Sequence, residues 1–187
     1  VEAWGAGGGG SAGGGGAAGM YVISAQEVTP GSTISISLGV GGTREVPNSG
    51  SGGANGSLTA LNGPLPFTGV YAAGGNGALG GGPANSVHYL SSSVNYLQFP
   101  GQGGFDNTVS YAQKNATTFV IITNYGDGGA AGPDYNLRSK GEMRVTNENN
   151  GGTVVVYGSA FAPFPAGGGG GGVISKNGSG GMVNIRY

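Results

Sequence analysis

Gly5-Ala6-Gly7-Gly8-Gly9-Gly10-Ser11-Ala12-Gly13-Gly14-Gly15-Gly16-Ala17-Ala18-Gly19 is the stretch on which the fold turns. Positions 7, 10, 13, 16 and 19 are all glycine, and Ala6, Ser11, Ala12, Ala17 and Ala18 all fall outside that phase. A period of three is that of the extended helix with three residues per turn and a rise of about 3.1 Å. A row without side chains lets another backbone come close. Buried backbone N–H and C=O groups must find partners, and neighbouring helices of the same kind can supply them. Collagen would need proline-rich positions between the glycines, and here they are glycine, alanine or serine. The stretch is therefore predicted to form polyglycine II helices packed in a bundle. Gly13, placed in the row, is the direct probe: a linker tolerates Gly13→Val and a packed row does not.

Working outward, Gly50, Gly53 and Gly56 share a phase, as do Gly74, Gly77 and Gly80, and Gly101 and Gly104 stand three apart. Gly167 to Gly172 is an unbroken run. Each of these short tracts reads either as a flexible linker or as a further helix of the bundle. The chain is thus expected to be one glycine-rich β domain over 1–187, with polyglycine segments at 5–19, 50–56, 74–82 and 167–172. The middle region 62–165 is poorer in glycine and richer in Tyr, Phe, Asn and Val.

Composition narrows the function. Glycine makes up 46 of 187 residues, charged residues only 8 %, and the net charge is −1. So few charges leave no electrostatic footprint for nucleic acid or an anionic membrane, and no apolar run approaches the ~20 residues of a membrane span. Cysteine is absent, which removes disulfides and thiolate metal sites. The aromatic and β-branched content argues against plain disorder.

Between the glycine tracts the sequence reads as strands: Val1 to Trp4, Met20 to Val28, Thr33 to Val40, Val87 to Phe99, Thr117 to Tyr125, Glu142 to Thr146, Thr153 to Tyr157 and Met182 to Tyr187. Thr33 to Val40 alternates, with Ile34, Ile36, Leu38 and Val40 on one face and Ser35 and Ser37 on the other, the period of a half-buried strand. No window has a helical period. The expected fold class is all-β, a β-sandwich or jelly-roll-like frame around a bundle of polyglycine II helices.

Val1-Glu2-Ala3-Trp4-Gly5-Ala6-Gly7-Gly8-Gly9-Gly10 resembles the opening of the glycine-rich domains at the ends of bacteriophage tail fibres and related tail proteins. The resemblance continues through Thr29-Pro30-Gly31-Ser32-Thr33, Val40-Gly41-Gly42 and, at the far end, Gly167–Gly172 with Gly180-Gly181-Met182-Val183-Asn184-Ile185-Arg186-Tyr187. It covers roughly the first 60 and last 20 residues. The glycine-rich region of some animal receptor kinases is also similar, with polyglycine helices inserted in a tumour-necrosis-factor-like sandwich. The resemblance implies a rigid polyglycine mount with loops at its end that contact a host receptor. It also implies an apolar strand before Val1, so the native polypeptide is expected to extend upstream or to be cleaved from a larger fibre or capsid-associated protein.

Catalytic cues are sparse. His88 is the single histidine and lacks a nucleophile elbow around Ser86, so it reads as structural. Asp127 and Asp134 flank Gly128-Gly129-Ala130-Ala131-Gly132-Pro133, a spacing that fits no EF-hand loop, and they read as solvated loop acids. Gly74-Gly75-Asn76-Gly77 lacks the Lys-Ser/Thr of a phosphate loop. Asn55, Asn115 and Asn177 head Asn-x-Ser/Thr triplets, which chance explains in so Asn- and Ser-rich a chain. No catalytic, metal or cofactor site is expected. Aromatics crowd the middle region among Asn, Gln and Ser, the mixture that binding loops favour. Tyr89, Tyr96, Phe105, Tyr111 and Tyr135 are the candidate ligand-binding residues, while partners such as Phe99 and Phe119 are equally suited to a sandwich core. The expected function is a non-enzymatic phage-type tail-fibre or spike adhesin that recognises a host cell-surface glycan or outer-surface protein. The alternative is a structural subunit of a virion or extracellular filament. Either would be virion-borne or extracellular, associated with other fibre proteins and self-assembled, a homotrimer being favoured.

Overall fold

The computed structural model describes residues 1–47, 49–79, 82, 84–85, 96–115, 118–130, 139, 141–147, 153–157 and 165–187, without the side chains of 96, 111–115, 118–119, 147 and 154–157. These residues form eleven strands in three antiparallel sheets. The strands are β1 (Glu2–Trp4), β2 (Tyr21–Ser24), β3 (Ser35–Ser37), β4 (Thr59–Asn62), β5 (Val70–Ala72), β6 (Tyr96–Phe99), β7 (Thr108–Asn115), β8 (Thr118–Asn124), β9 (Met143–Asn147), β10 (Thr153–Tyr157) and β11 (Met182–Asn184). Their orders are β11-β1-β2-β6, β3-β4-β5 and β10-β9-β8-β7. The expected all-β class is observed. β4, β5 and β7 were missed by the sequence reading.

The first two sheets face each other, with β5 lying over β1 and β2. Between them sits a small core of Ala3, Met20, Val22, Leu61, Phe67, Val70 and Ala72. The opposite face of β1 and β2 carries a different contact. Trp4, Tyr21 and Phe99 are cross-strand neighbours whose rings stack at 4.5 and 5.6 Å. Phe99 therefore belongs to this ladder and not to the core.

The glycine tracts leave the sandwich and run side by side. In segment 5–10 the N–H groups rotate through three neighbours. Gly5 and Gly8 donate to Met20 and Ala17 (both 2.9 Å), Ala6 and Gly9 to Ser57 and Ala54 (3.1 and 3.0 Å), and Gly7 and Gly10 to Ser179 and Lys176 (2.8 and 2.9 Å). The carbonyls rotate as well. Ala6 and Gly9 accept from Gly75 and Ala78, Gly7 and Gly10 from Gly42 and Glu45, and Gly8 from Gly169. Every backbone N–H and C=O from Ala6 to Gly10 is thus bonded, and the partners belong to six different segments. That threefold rotation is the polyglycine II pattern. The partner numbers add a rule: they fall along the donors and rise along the acceptors, so segment 5–10 donates to antiparallel neighbours and accepts from parallel ones.

Segment 15–19 is a second hub. Gly15 and Ala18 donate to Phe105 and Gln102, Gly16 and Gly19 to Gly169 and Ala166, and Ala17 and Met20 to Asn76 and Ala73. Segments 39–45, 53–57, 73–79, 101–105, 126–130, 166–171 and 176–180 surround the two hubs. Among the described residues the short tracts are therefore bundle members, except that Gly50 stands exposed in open space at φ 66° and the 74–82 tract turns at Leu79 and Gly82; Gly80 lies outside the described residues.

The single row through 7, 10, 13, 16 and 19 is corrected. The chain reverses between Ser11 and Gly14, which close a turn with Ser11 N–H on Gly14 C=O (2.9 Å). Gly7 and Gly10 face segment 166–171, whereas Gly16 and Gly19 face segment 5–10 from the other side of the turn. Gly13 lies half-buried in the turn, so it is the wrong probe.

What excludes side chains is aim rather than phase alone. A Cβ on Gly8 would land on the carbonyl of Asn76, on Gly9 on that of Thr43, and on Gly16 on that of Gly8, each closer than 3.0 Å. The α-hydrogen that occupies this direction points at the same oxygen, a Cα–H···O contact worth about 0.5–1 kcal/mol. Backbone bonds and these contacts thus replace the apolar side chains of an ordinary core. The expected half-burial of Thr33 to Val40 is corrected too. Ser35–Ser37 form an exposed edge strand, and from Gly39 the chain turns into the bundle, so Val40 leaves the alternation.

Candidate recognition surface

The bundle has two different ends. β1, β2, β3, β4, β5, β6 and β11 all connect at the end marked by Gly5 and Gly19, where Val1 and Tyr187 also lie. β7, β8 and β9 connect at the Ser11 end, through Asn107, Tyr125 and Glu142. About six residues of a 3.1 Å rise separate the ends by roughly 20 Å. The β10-β9-β8-β7 sheet is therefore mounted at the far end from the termini, and it lies within the middle region that departs from the family resemblance.

The joint is built from polar side chains. Asn107 donates its Nδ2 to Ala12 C=O (2.7 Å) and accepts from Gly126 N–H (3.0 Å), which ties the start of β7 to the 11–14 turn. Glu45 is only 4 % exposed and accepts the Ala12 N–H on Oε2 (2.8 Å). Glu142 is 2 % exposed. Its carboxylate pairs with the Arg144 guanidinium and accepts from Ile174 N–H (3.3 Å), while its backbone bonds Gly171 C=O and Tyr125 N–H. Sequence reasoning missed these buried glutamates. Nothing local distinguishes them from solvated acids, because their burial comes from segments far away in the chain. Asp127, expected to be solvated, is half-buried and accepts Gly141 N–H on Oδ1 (3.0 Å), since segment 126–130 is a bundle helix and not a loop. Asp134 and His88 lie outside the described residues.

Of the candidate aromatics, Tyr89 and Tyr135 lie outside the described residues, and the side chains of Tyr96 and Tyr111 are likewise outside. The backbones of the latter two are placed: Tyr96 pairs with Ser24 in the sandwich and Tyr111 with Ile121 in the distal sheet. Phe105 is half-buried at the joint, bonded through its backbone to Gly15 and Asp127. The fold thus brings Phe105 and Tyr111 to one end and sends Tyr96 to the other. Tyr125 joins the first pair at the joint. Asn55 and Asn177 are engaged structurally, accepting from Gly77 and Arg44 N–H groups (both 2.8 Å).

Burial pushes the phenols of Tyr125 and Tyr21 above the ordinary 10.0. For Tyr125, Arg144 opposes and Glu142 reinforces the shift; for Tyr21, Glu2 reinforces it and Arg186 opposes it. A folded-state pKa above the unfolded one favours the native state below the unfolded value and loses that contribution as pH rises through the folded value. Stability is therefore expected to hold up to about pH 10 and then to fall. Phenolate absorbance followed alongside circular dichroism should show two late-titrating tyrosines ionising together with unfolding.

No curated protein and no solved structure is matched by this chain. A family model described as a glycine-rich domain matches residues 1–187. With its glycine segments forming a hydrogen-bonded backbone lattice between the sheets, the chain belongs to this glycine-rich domain family.

Proposed function

We propose that this chain is a non-enzymatic adhesin of the phage tail-fibre or spike type, in which the polyglycine bundle is a stiff mount and the β7–β10 sheet is the contact region for a host surface component. One observation carries the reading: the bundle holds that sheet at the end opposite both termini. A neighbour attached through either terminus would leave the distal sheet pointing outward. The sequence of that sheet and its connections is rich in Tyr, Asn and Thr, side chains suited to rigid aromatic and adaptable polar contacts. Glycans and outer-surface proteins of a host cell both offer such groups, and a chain that reaches them is itself virion-borne or extracellular. The test is binding of the purified chain to whole host cells and to arrays of their surface glycans. Saturable binding abolished by substitutions in β7–β10, and unaffected by substitutions in the sandwich, supports the reading. Binding that maps to the sandwich, or no saturable binding to any host tested, overturns it.

A structural subunit is the second reading. The exposed edge strand β3, Ser35-Ile36-Ser37, favours it, since an uncovered edge is suited to assembly with like chains.

A further inference from the structure

Both sheets of the sandwich end on the same flank. β3 is the outer strand of one and β11 of the other. The two edges are tied where they meet the bundle: Gly181 N–H donates to Gly39 C=O (2.8 Å), and Gly39 N–H donates to Thr59 Oγ1 (3.0 Å). Away from that tie the flank is open. All three residues of β3 are exposed. Ile36 shares a face with its partner Leu61, a fully buried core residue, yet it is 48 % exposed, and Leu38 and Val40 beyond it are 55 % and 74 % exposed. A cleft of about 400 Å³ opens at the end of the sandwich away from the bundle, between Val1, Ser24, Val28 and Ile185; it reaches the core at Leu61 and meets this flank at Ile34, two residues before Ile36. The core is therefore continuous with solvent-exposed apolar surface on this side.

The exposed parts of Val28, Ile36, Leu38 and Ile185 amount to on the order of 400 Å², within the size range at which an apolar patch marks an interaction site. That is about half of the ~800 Å² per partner of a standard interface. Among the described residues neither β3 nor β11 has a strand on its outer side, which leaves two backbone edges, and a single extended peptide could pair with only one. A surface that offers the same two edges satisfies both.

From this we propose that the β3–β11 flank pairs with the same flank of a second copy, across a twofold axis close to Ile36. β3 then runs antiparallel to its counterpart, which joins the two three-stranded sheets into one, and Ile36 and Leu38 of each copy cover the open side of the other. Such an interface is isologous, so each residue near the axis meets its own copy. This geometry builds a pair, in contrast to the closed trimer expected from the sequence. It leaves the distal sheets of both copies free, and its test is independent of any host binding.

The chain has no cysteine, so one introduced thiol reports on the axis without ambiguity. In an antiparallel pair, opposed Cα atoms stand about 4.5–5.5 Å apart, within reach of a disulfide. Ile36→Cys in the full chain is expected to oxidise to a covalent dimer under mild air oxidation at micromolar protein. Leu97→Cys, at the opposite edge in β6 and more exposed than Ile36, is expected to stay largely monomeric. Sedimentation should show the unmodified chain as a dimer and Ile36→Lys/Leu38→Lys as a monomer, with at least 30-fold weaker association. Leu97→Lys should leave the dimer intact. A monomer at tens of micromolar, a trimer, or a dimer indifferent to the double substitution would each overturn the proposal. Native circular dichroism of the lysine variants separates lost pairing from lost folding.

Discussion

Gly8→Ala is expected to lower the thermal midpoint by about 10–20 °C, although it adds a single methyl group. Gly8 sits in the segment bonded to six neighbours, and its Cβ would land on the carbonyl of Asn76. That oxygen accepts from Ala17 N–H at 2.9 Å, so it cannot retreat without disturbing the second hub. Overpacking of this kind costs about 1–3 kcal/mol or more. Each backbone bond broken in the water-excluded lattice adds roughly 1–3 kcal/mol for the group left unpaired. A total of about 4–6 kcal/mol at 2–4 °C per kcal/mol for a chain of this size gives the stated shift. It approaches the whole stability of an ordinary domain, so part of the product should be insoluble. Gly180→Ala is the matched control. Its Cβ would meet only the Gly39 carbonyl at 3.5 Å, an ordinary contact. That variant should be neutral or gain a few tenths of a kcal/mol from the stiffer unfolded chain. Equal midpoints for the two variants would show that glycine is required for flexibility and not for close packing.

The second large effect is expected at the joint. Glu142→Ala removes the partner of Arg144 and the acceptor of Ile174 N–H in a site that is 2 % exposed at the glutamate. Breaking a fully buried pair costs about 3–5 kcal/mol. Because the Arg144 side chain keeps 23 % of its surface in water, about 2–4 kcal/mol is expected, a drop of roughly 5–15 °C. The location matters more than the size. Glu142 links segment 166–171 to β8 and β9 through both its backbone and its carboxylate. Amide exchange should therefore rise first in β8 and β9, while Ala6 to Gly10 stay protected up to global unfolding. Glu142→Gln keeps the shape and should retain about half of the loss. Uniform acceleration across the bundle would mean that the distal sheet has no stability of its own to lose.

Much of this architecture was legible in the residues. The threefold spacing around Gly5–Gly19 correctly identified backbone packing, because only a chain without side chains allows it. β10 was read as Thr153 to Tyr157, as observed, since a short β-branched run between turn signals has few other options. The reading failed wherever the outcome depended on remote neighbours. Ile36, Leu38 and Val40 alternate like a buried face, yet no second layer covers them. Glu45 and Glu142 look like surface acids, yet each caps a backbone group supplied from more than 30 residues away. β4, β5 and β7 are short or polar and carry no pattern of their own; they exist through the strands they pair with.

What the amino-acid order determined by itself is therefore the local grammar: where the chain must be glycine, where it must be β, and that few charges are on hand to hold it. The tertiary structure alone decided the connectivity. It set the reversal at Ser11–Gly14, the division of donors to antiparallel and acceptors to parallel neighbours, and the placing of one sheet far from the termini. The physical reason lies in the polyglycine helix itself. Its bonds all run between segments and none within one, so a segment's partners are specified only when the whole bundle has assembled.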